Sequence, residues 1–206
     1  MIVYGMNEKE VSDEVLRDLK NVYRYEDAKR NKFRRRVLKA TTFPVYYCYT
    51  YISPLKNKWV VILEARNKNE VLDKCRVTFS ATYNTPHGIY SILVTFIDGR
   101  PVLCFYPPHF FRRYKERSGK DKTGIDLIVD YFTYNSGCLF RAIDKVIDNE
   151  TYISEVFGTI NGGIVLGLMT SENNFLLKTF VSVEMLKGSQ IEDYMKGESI
   201  RNEILY

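Results

Sequence analysis

Ile89-Tyr-Ser-Ile-Leu-Val-Thr-Phe-Ile97, then Asp98-Gly99, then Pro101-Val-Leu-Cys-Phe-Tyr106 is the stretch that decides the fold. Two runs rich in β-branched and aromatic residues flank an Asp-Gly pair, a strong local signal for an antiparallel hairpin. The same composition extends toward the N-terminus. Val45–Ile52 is dense in Tyr and β-branched residues, and Trp59–Ala65 is a compact apolar run. Arg76–Tyr83 alternates, with Val77, Phe79 and Ala81 on one face. The segments starting at Pro54, Asn67 and Asn84 carry the residues of connecting turns. The block therefore predicts an antiparallel sheet of about four or five strands.

On the N-terminal side, Asn7 to about Arg36 reads as a helix, with Asn7 or Ser12 as its cap. Val11, Val15, Leu16, Leu19, Val22 and Tyr23 recur at helical spacing. On the C-terminal side, Pro107–Arg117 and Gly124–Tyr134 read as helices, with a further helical stretch over Leu139–Asp148. Pro108 suits a helix start. Ile125, Leu127, Ile128, Tyr131 and Phe132 form the apolar stripe of the second of these helices. Val156–Ile160, Ile164–Thr170 and Phe175–Val183 read as strands, with Asn161-Gly162-Gly163 as a turn and a short helix from Glu184 to about Lys196. The fold class is α+β: N-terminal helix, antiparallel sheet, central helices, C-terminal strands and a short helix. A length of 206 residues fits one domain, 1–206, and the best candidate for an internal boundary lies near Tyr106.

Composition excludes several classes. Hydrophobic residues are 45% and charged residues 27%, values of a globular chain rather than a disordered one. No apolar run reaches the ~18 residues of a membrane span, and no membrane contact is expected. The opening Met-Ile-Val-Tyr-Gly-Met-Asn-Glu lacks the pattern of a signal peptide. Cys48, Cys75, Cys104 and Cys138 stand far apart, as reduced thiols of a cytoplasmic protein do. With His87 and His109 isolated as well, no metal site and no cofactor are expected. Asp126, Asp130 and Asp144 form no obvious acidic metal cluster, and Asp126 and Asp130 share a helix face that reads as solvated charge. Asn161-Gly162-Gly163 lacks the Lys-Ser/Thr pair of a phosphate loop. The 16 Tyr and 12 Phe suit half-buried strands first, with stacking surfaces for bases as the second reading.

The net charge of +5 is mild, but it is concentrated. The first helix ends in Lys29, Arg30, Lys32, Arg34, Arg35, Arg36 and Lys39. Cations there complement the helix dipole, and a solvated face is the plain reading. Seven positive charges in eleven residues exceed that need, so Arg34, Arg35 and Arg36 are also candidate phosphate ligands.

The second concentration is Pro107-Pro-His-Phe-Phe-Arg-Arg-Tyr-Lys-Glu-Arg117. At 100° per residue, His109, Arg113 and Arg117 fall on one face, with Arg112 and Glu116 beside them. Phe110, Phe111 and Tyr114 fall on the other and would bury the helix. Guanidinium groups bind phosphate oxygens in bidentate fashion, and Lys115, Lys120 and Lys122 add charge nearby. Neighbouring cations favour neutral imidazole, which suits a general base. Metal-free RNA cleavage requires such a base for the 2′-hydroxyl and cations for the charge that develops on phosphorus. The plainer readings are a structural or capping His109, a surface His87, and arginines paired with Glu116, Asp121 or Asp126.

The pattern H-x-x-R-x-x-x-x-R, followed by a short helix and a strand bearing Thr or Ser, resembles the RelE- and BrnT-like toxins of the barnase–EndoU–colicin–RelE group. The resemblance spans about Pro107 to Val183. It implies a compact α+β ribonuclease that works without metal. His109, Arg112 or Arg113, and Arg117 would occupy the helix positions, and Thr179 and Ser182 the polar strand positions. The ladder here is H-x-x-R-R-x-x-x-R, which leaves the matching arginine open, and the first hundred residues have no counterpart in that group. Three functions follow as alternatives: a metal-independent ribonuclease or degenerate relative, a non-catalytic module that binds RNA or DNA, and a structural or protein-interaction domain. RNA is the expected partner of the first.

Overall fold

Antiparallel pairing dominates the chain. The computed structural model describes residues 1–70, 75–143 and 151–205. It contains helix α1 (Glu8–Lys39), strands β1 (Val45–Ile52), β2 (Lys58–Ala65), β3 (Arg76–Thr85), β4 (Gly88–Ile97) and β5 (Arg100–Tyr106), and helices α2 (Pro108–Ser118) and α3 (Gly124–Tyr134). There follow β6 (Leu139–Ile143), β7 (Tyr152–Ile160), β8 (Gly163–Thr170), β9 (Phe175–Ser182), a 3₁₀ turn at Val183–Met185, and α4 (Ser189–Leu205). The class is α+β, as the hydrophobic pattern predicts.

The hairpin expected at Asp98-Gly99 joins β4 to β5, with positive φ at both turn residues. Each of β1 to β4 pairs antiparallel with the strand that follows it, and so does each of β6 to β8. The two meanders join into one nine-stranded sheet, in the order β1-β2-β3-β4-β5-β9-β8-β7-β6. The join is parallel and short, Cys104 opposite Phe175 and Phe105 opposite Leu176. The Asn174 side chain reinforces it by accepting from the Leu103 amide at 3.0 Å. The sheet thus runs across position 106 without a break.

Successive strand residues point to opposite faces, and β2 divides the core accordingly. Trp59 and Val61 pack under α1 with Val11, Val15, Leu19 and Val22. Val60 and Ile62 pack under α2 and α3 with Phe110, Phe111, Tyr114, Leu127, Ile128, Tyr131 and Phe132. Leu103 and Phe105 of β5 belong to the α1 side, Cys104 and Tyr106 to the other. Tyr106 is the hub of the second cluster, with edge contacts to Phe110, Tyr131 and Phe132 at centroid separations of 4.9–5.5 Å. Tyr194 of α4, with Leu186 just before that helix, covers Phe157 and Ile164.

The departures from sequence expectation have local causes. Asn7 rather than Ser12 caps α1, through a capping box with Glu10. Leu16 and Tyr23 lie largely outside the core, because a long helix on a twisted sheet buries only a narrow stripe. Leu139–Ile143 is a strand paired with β7, not a helix; residues 144–148 of that expected helix, Asp144 among them, lie outside the described residues. Pairing with a neighbouring strand overrides the local pattern in so short a segment. The C-terminal helix begins later than expected and reaches Leu205, after a 3₁₀ turn.

Asn161-Gly162-Gly163 is the β7–β8 hairpin turn. Gly163 has φ +146°, and a Cβ there would stand 2.1 Å from the Val181 carbonyl oxygen of β9. Gly163→Ala should therefore lower stability by about 3 kcal/mol or more, read from urea unfolding. A near-neutral substitution would show that β9 yields easily at this point.

Candidate functional site

The aromatic face of α2 fixes its polar face in space. With Phe110, Phe111 and Tyr114 buried against the sheet, His109, Arg112 and Arg113 are left exposed. The β3–β4 turn abuts the start of this helix. Thr85 Oγ1 donates to the Gly88 carbonyl at 2.8 Å and accepts from the His87 amide at 3.2 Å, which fixes the turn. Gly88 has φ +125°, and a Cβ there would lie 3.2 Å from Pro108 Cβ, so the turn can approach α2 only with glycine at this position.

The approach creates a cleft of about 350 Å³ lined by Tyr4, Thr85, His87, Tyr90, His109 and Arg112 together with Pro107 and Pro108. Both histidines of the chain therefore share one cleft with one guanidinium. His87 is exposed, as expected, but its place in the same cleft as His109 could not be read from linear spacing. The only signal was its position in the turn before β4. The cleft lies at the N-terminus of α2, whose first turn carries no acidic residue, so the positive end of the helix dipole faces it. Desolvation of the ring and then the Arg113 guanidinium lower the His109 pKa below its ordinary value, with Arg112 and Lys178 adding to the effect. A hydrogen bond to the Lys178 backbone acts in the opposite direction without reversing the shift. Lys178 is a cation of the site that the sequence did not single out.

The remaining candidates lie elsewhere. Arg117 is eight residues along α2 from His109, about 12 Å at the helical rise. Its guanidinium donates to Thr179 Oγ1 at 3.3 Å and to the Phe180 carbonyl, which ties α2 to β9. Arg117 and Thr179 are thus neighbours, outside the histidine cleft. Ser182 is buried at the end of β9 opposite Gly163. Lys115 lies 3.9 Å from Asp121. Lys122 is paired with Asp130 at 2.5 Å, and Lys120 lies 3.4 Å from the same carboxylate.

Asp130 departs from the expected solvated charge: it is buried and accepts from the Tyr114 hydroxyl at 3.0 Å. Burial alone would raise its pKa, but the bonds from Lys122 and Tyr114 and the charge of Lys120 outweigh that and hold it below its ordinary value.

The basic end of α1 lies on the face of the sheet opposite α2. Arg34, Arg35 and Arg36 are exposed there, with Arg36 5.2 Å from the Tyr47 ring centroid. Lys29 stands over Tyr25 at 4.8 Å. Arg30 lies 2.9 Å from Glu26. The two basic stretches are therefore separated by the thickness of the sheet.

The four cysteines are free thiols. Among the described residues no three His, Cys, Asp or Glu side chains gather so as to hold a metal ion. Among them, too, no helix is long and apolar enough to cross a membrane. In comparisons with protein-family models, curated proteins and solved structures, nothing matches this chain.

Proposed function

We propose that this chain cleaves RNA without a metal, in the cleft shared by His87, His109 and Arg112. The observation that carries the reading is the convergence of both imidazoles and a guanidinium on one cleft at a helix N-terminus. Transesterification needs two proton-transfer groups on one phosphodiester, and a single histidine supplies only one of them. Neutral His109 takes the proton from the 2′-hydroxyl as that oxygen attacks phosphorus. The bond from phosphorus to the 5′-oxygen breaks, and His87 gives that oxygen a proton. The products are a 2′,3′-cyclic phosphate and a 5′-hydroxyl end. Arg112 and the α2 N-terminus face the charge that develops on the phosphoryl oxygens. Tyr4 and Tyr90 offer ring faces to the flanking bases.

The resemblance to RelE- and BrnT-like toxins fits this reading in part. Arg117 touches Thr179, so two of the matched positions meet, and the short helix α3 follows α2. In this arrangement Arg117 acts as a brace between α2 and β9. A second reading, RNA binding without cleavage, draws on the exposed arginines at the end of α1. Their placement across the sheet from α2 favours cleavage in the cleft over one continuous binding track.

The test is purified protein on mixed RNA with chelator present, wild type beside His109→Ala. Cleavage by wild type alone, leaving 2′,3′-cyclic phosphate ends, is the expected result. Salt-sensitive binding with no cleavage by either protein would replace the ribonuclease reading with a binding module. Neither binding nor cleavage would leave a structural domain.

A further inference from the structure

A second and larger cleft, of about 520 Å³, opens at the C-terminal end of α3 and shares no residue with the histidine cleft. Arg201 of α4 lines it although the side chain is only 6% exposed. One Nη of Arg201 donates to Asn161 Oδ1 at 3.3 Å, and Glu198 lies 3.9 Å away. Its Nε has no hydrogen-bond partner among the described residues. A guanidinium buried with an unmet donor is costly, and an anion in the cleft would offset its charge.

The charge of the cleft agrees. Its two carboxylates already have cations: Glu64 lies 3.3 Å from Arg66 and 3.9 Å from Arg76, and Asp130 holds Lys120 and Lys122. Neither of them pairs with Arg201, whose one ion partner among the described residues is Glu198, at the 3.9 Å limit of an ion pair. The walls also carry rings, Phe43, Tyr46 and Tyr134. Tyr46 is anchored by its hydroxyl to the Thr133 carbonyl at 3.0 Å, whereas Tyr134 is 49% exposed, with Lys120 5.1 Å from its ring centroid. Cations beside aromatic faces, in a volume within the range of small-molecule sites, suit a flat ring joined to a phosphate.

We propose that this cleft binds a nucleoside monophosphate, with its phosphate on Arg201 and Lys120 and its base against Tyr134. The site stands independently of RNA cleavage at His109.

The test is calorimetric titration of the full chain with AMP, adenosine and inorganic phosphate, using wild type, Arg201→Gln, Lys120→Ala and Tyr134→Ala. AMP should bind wild type in the submillimolar range, phosphate more weakly, and adenosine weakest. Arg201→Gln should weaken AMP and phosphate at least ~10-fold, the loss of one charge-assisted contact. Tyr134→Ala should weaken AMP while leaving phosphate unchanged, which separates the ring contact from the anion contact. If Arg201→Gln does not fold, Lys120→Ala carries the test, because Lys120 is partly solvated and should still lower affinity for both anions. Equal AMP affinity in wild type and in the variants that fold, or no AMP binding at millimolar concentration, would overturn the assignment. Binding abolished by His109→Ala instead would move the nucleotide to the other cleft.

Discussion

Asp18→Ala should lower the free energy of unfolding by about 3–5 kcal/mol, one of the largest single-residue effects in this chain. Asp18 lies in the middle of α1 with 0% exposure, where an acidic side chain is rarely found. One carboxylate oxygen accepts from Ser53 Oγ at 2.5 Å, Asn57 Nδ2 at 2.8 Å and Trp59 Nε1 at 2.9 Å. The other accepts from Asn21 Nδ2 at 2.8 Å. These bonds join α1 to the β1–β2 connection and to the one tryptophan of the chain. Alanine would leave the buried donors of Ser53, Asn57 and Trp59 without this acceptor, and that loss outweighs the small gain in helix propensity.

Acid should probe the same network. Burial by itself would raise the Asp18 pKa, but the four hydrogen bonds outweigh it and hold the group below its ordinary 3.8. For a carboxylate depressed in the folded state, the added stability is complete above the ordinary pKa and is lost as pH falls through the folded value. Wild type should therefore lose stability below about pH 4 more steeply than Asp18→Ala. Urea unfolding at pH 7 and at pH 3 measures both effects. A variant within about 1 kcal/mol of wild type at pH 7 would mean that the donors find other partners.

The second large effect concerns rate. His109→Ala and His87→Ala should each slow RNA cleavage by about 10²–10⁴-fold. The double variant should fall little below the weaker single variant, because two groups serving one proton-transfer cycle are not additive. His109 should act as base when neutral, and its pKa is lowered from 6.5. The rising limb of the pH–rate profile should accordingly have its midpoint below 6.5 and vanish in His109→Ala. Both side chains are exposed, so thermal unfolding should change little, His109→Ala losing its bond to the Lys178 backbone, and the rate loss will not reflect misfolding. A wild-type rate in either single variant would exclude that histidine from the chemistry.

Much of the fold was legible because it rests on short-range patterns. Asp98-Gly99 marked a hairpin through its turn preference, and the aromatic face of Pro107–Arg117 marked a buried helix through its spacing. The strand at Leu139–Ile143 was not legible, since five residues show neither period clearly and pairing with β7 settles the matter. Asp130 misled for a related reason. Its helix position looks solvated, and only the arrival of Tyr114 and the 120–122 loop buries and pairs it.

The sequence by itself determined the α+β class, most of the helix and strand inventory on both sides of Tyr106, and a histidine set among arginines on α2. These are consequences of side-chain periodicity and turn chemistry, which act over a few residues. Only the tertiary structure decided which distant residues meet. It set His87 and His109 on one cleft, where a glycine lets the β3–β4 turn approach Pro108, and it tied Arg117 to β9. It set the two basic stretches on opposite faces of one sheet, and it buried Arg201 beside a cleft. The physical reason is that such contacts depend on the order and register of nine strands, and those are set by packing across the whole chain.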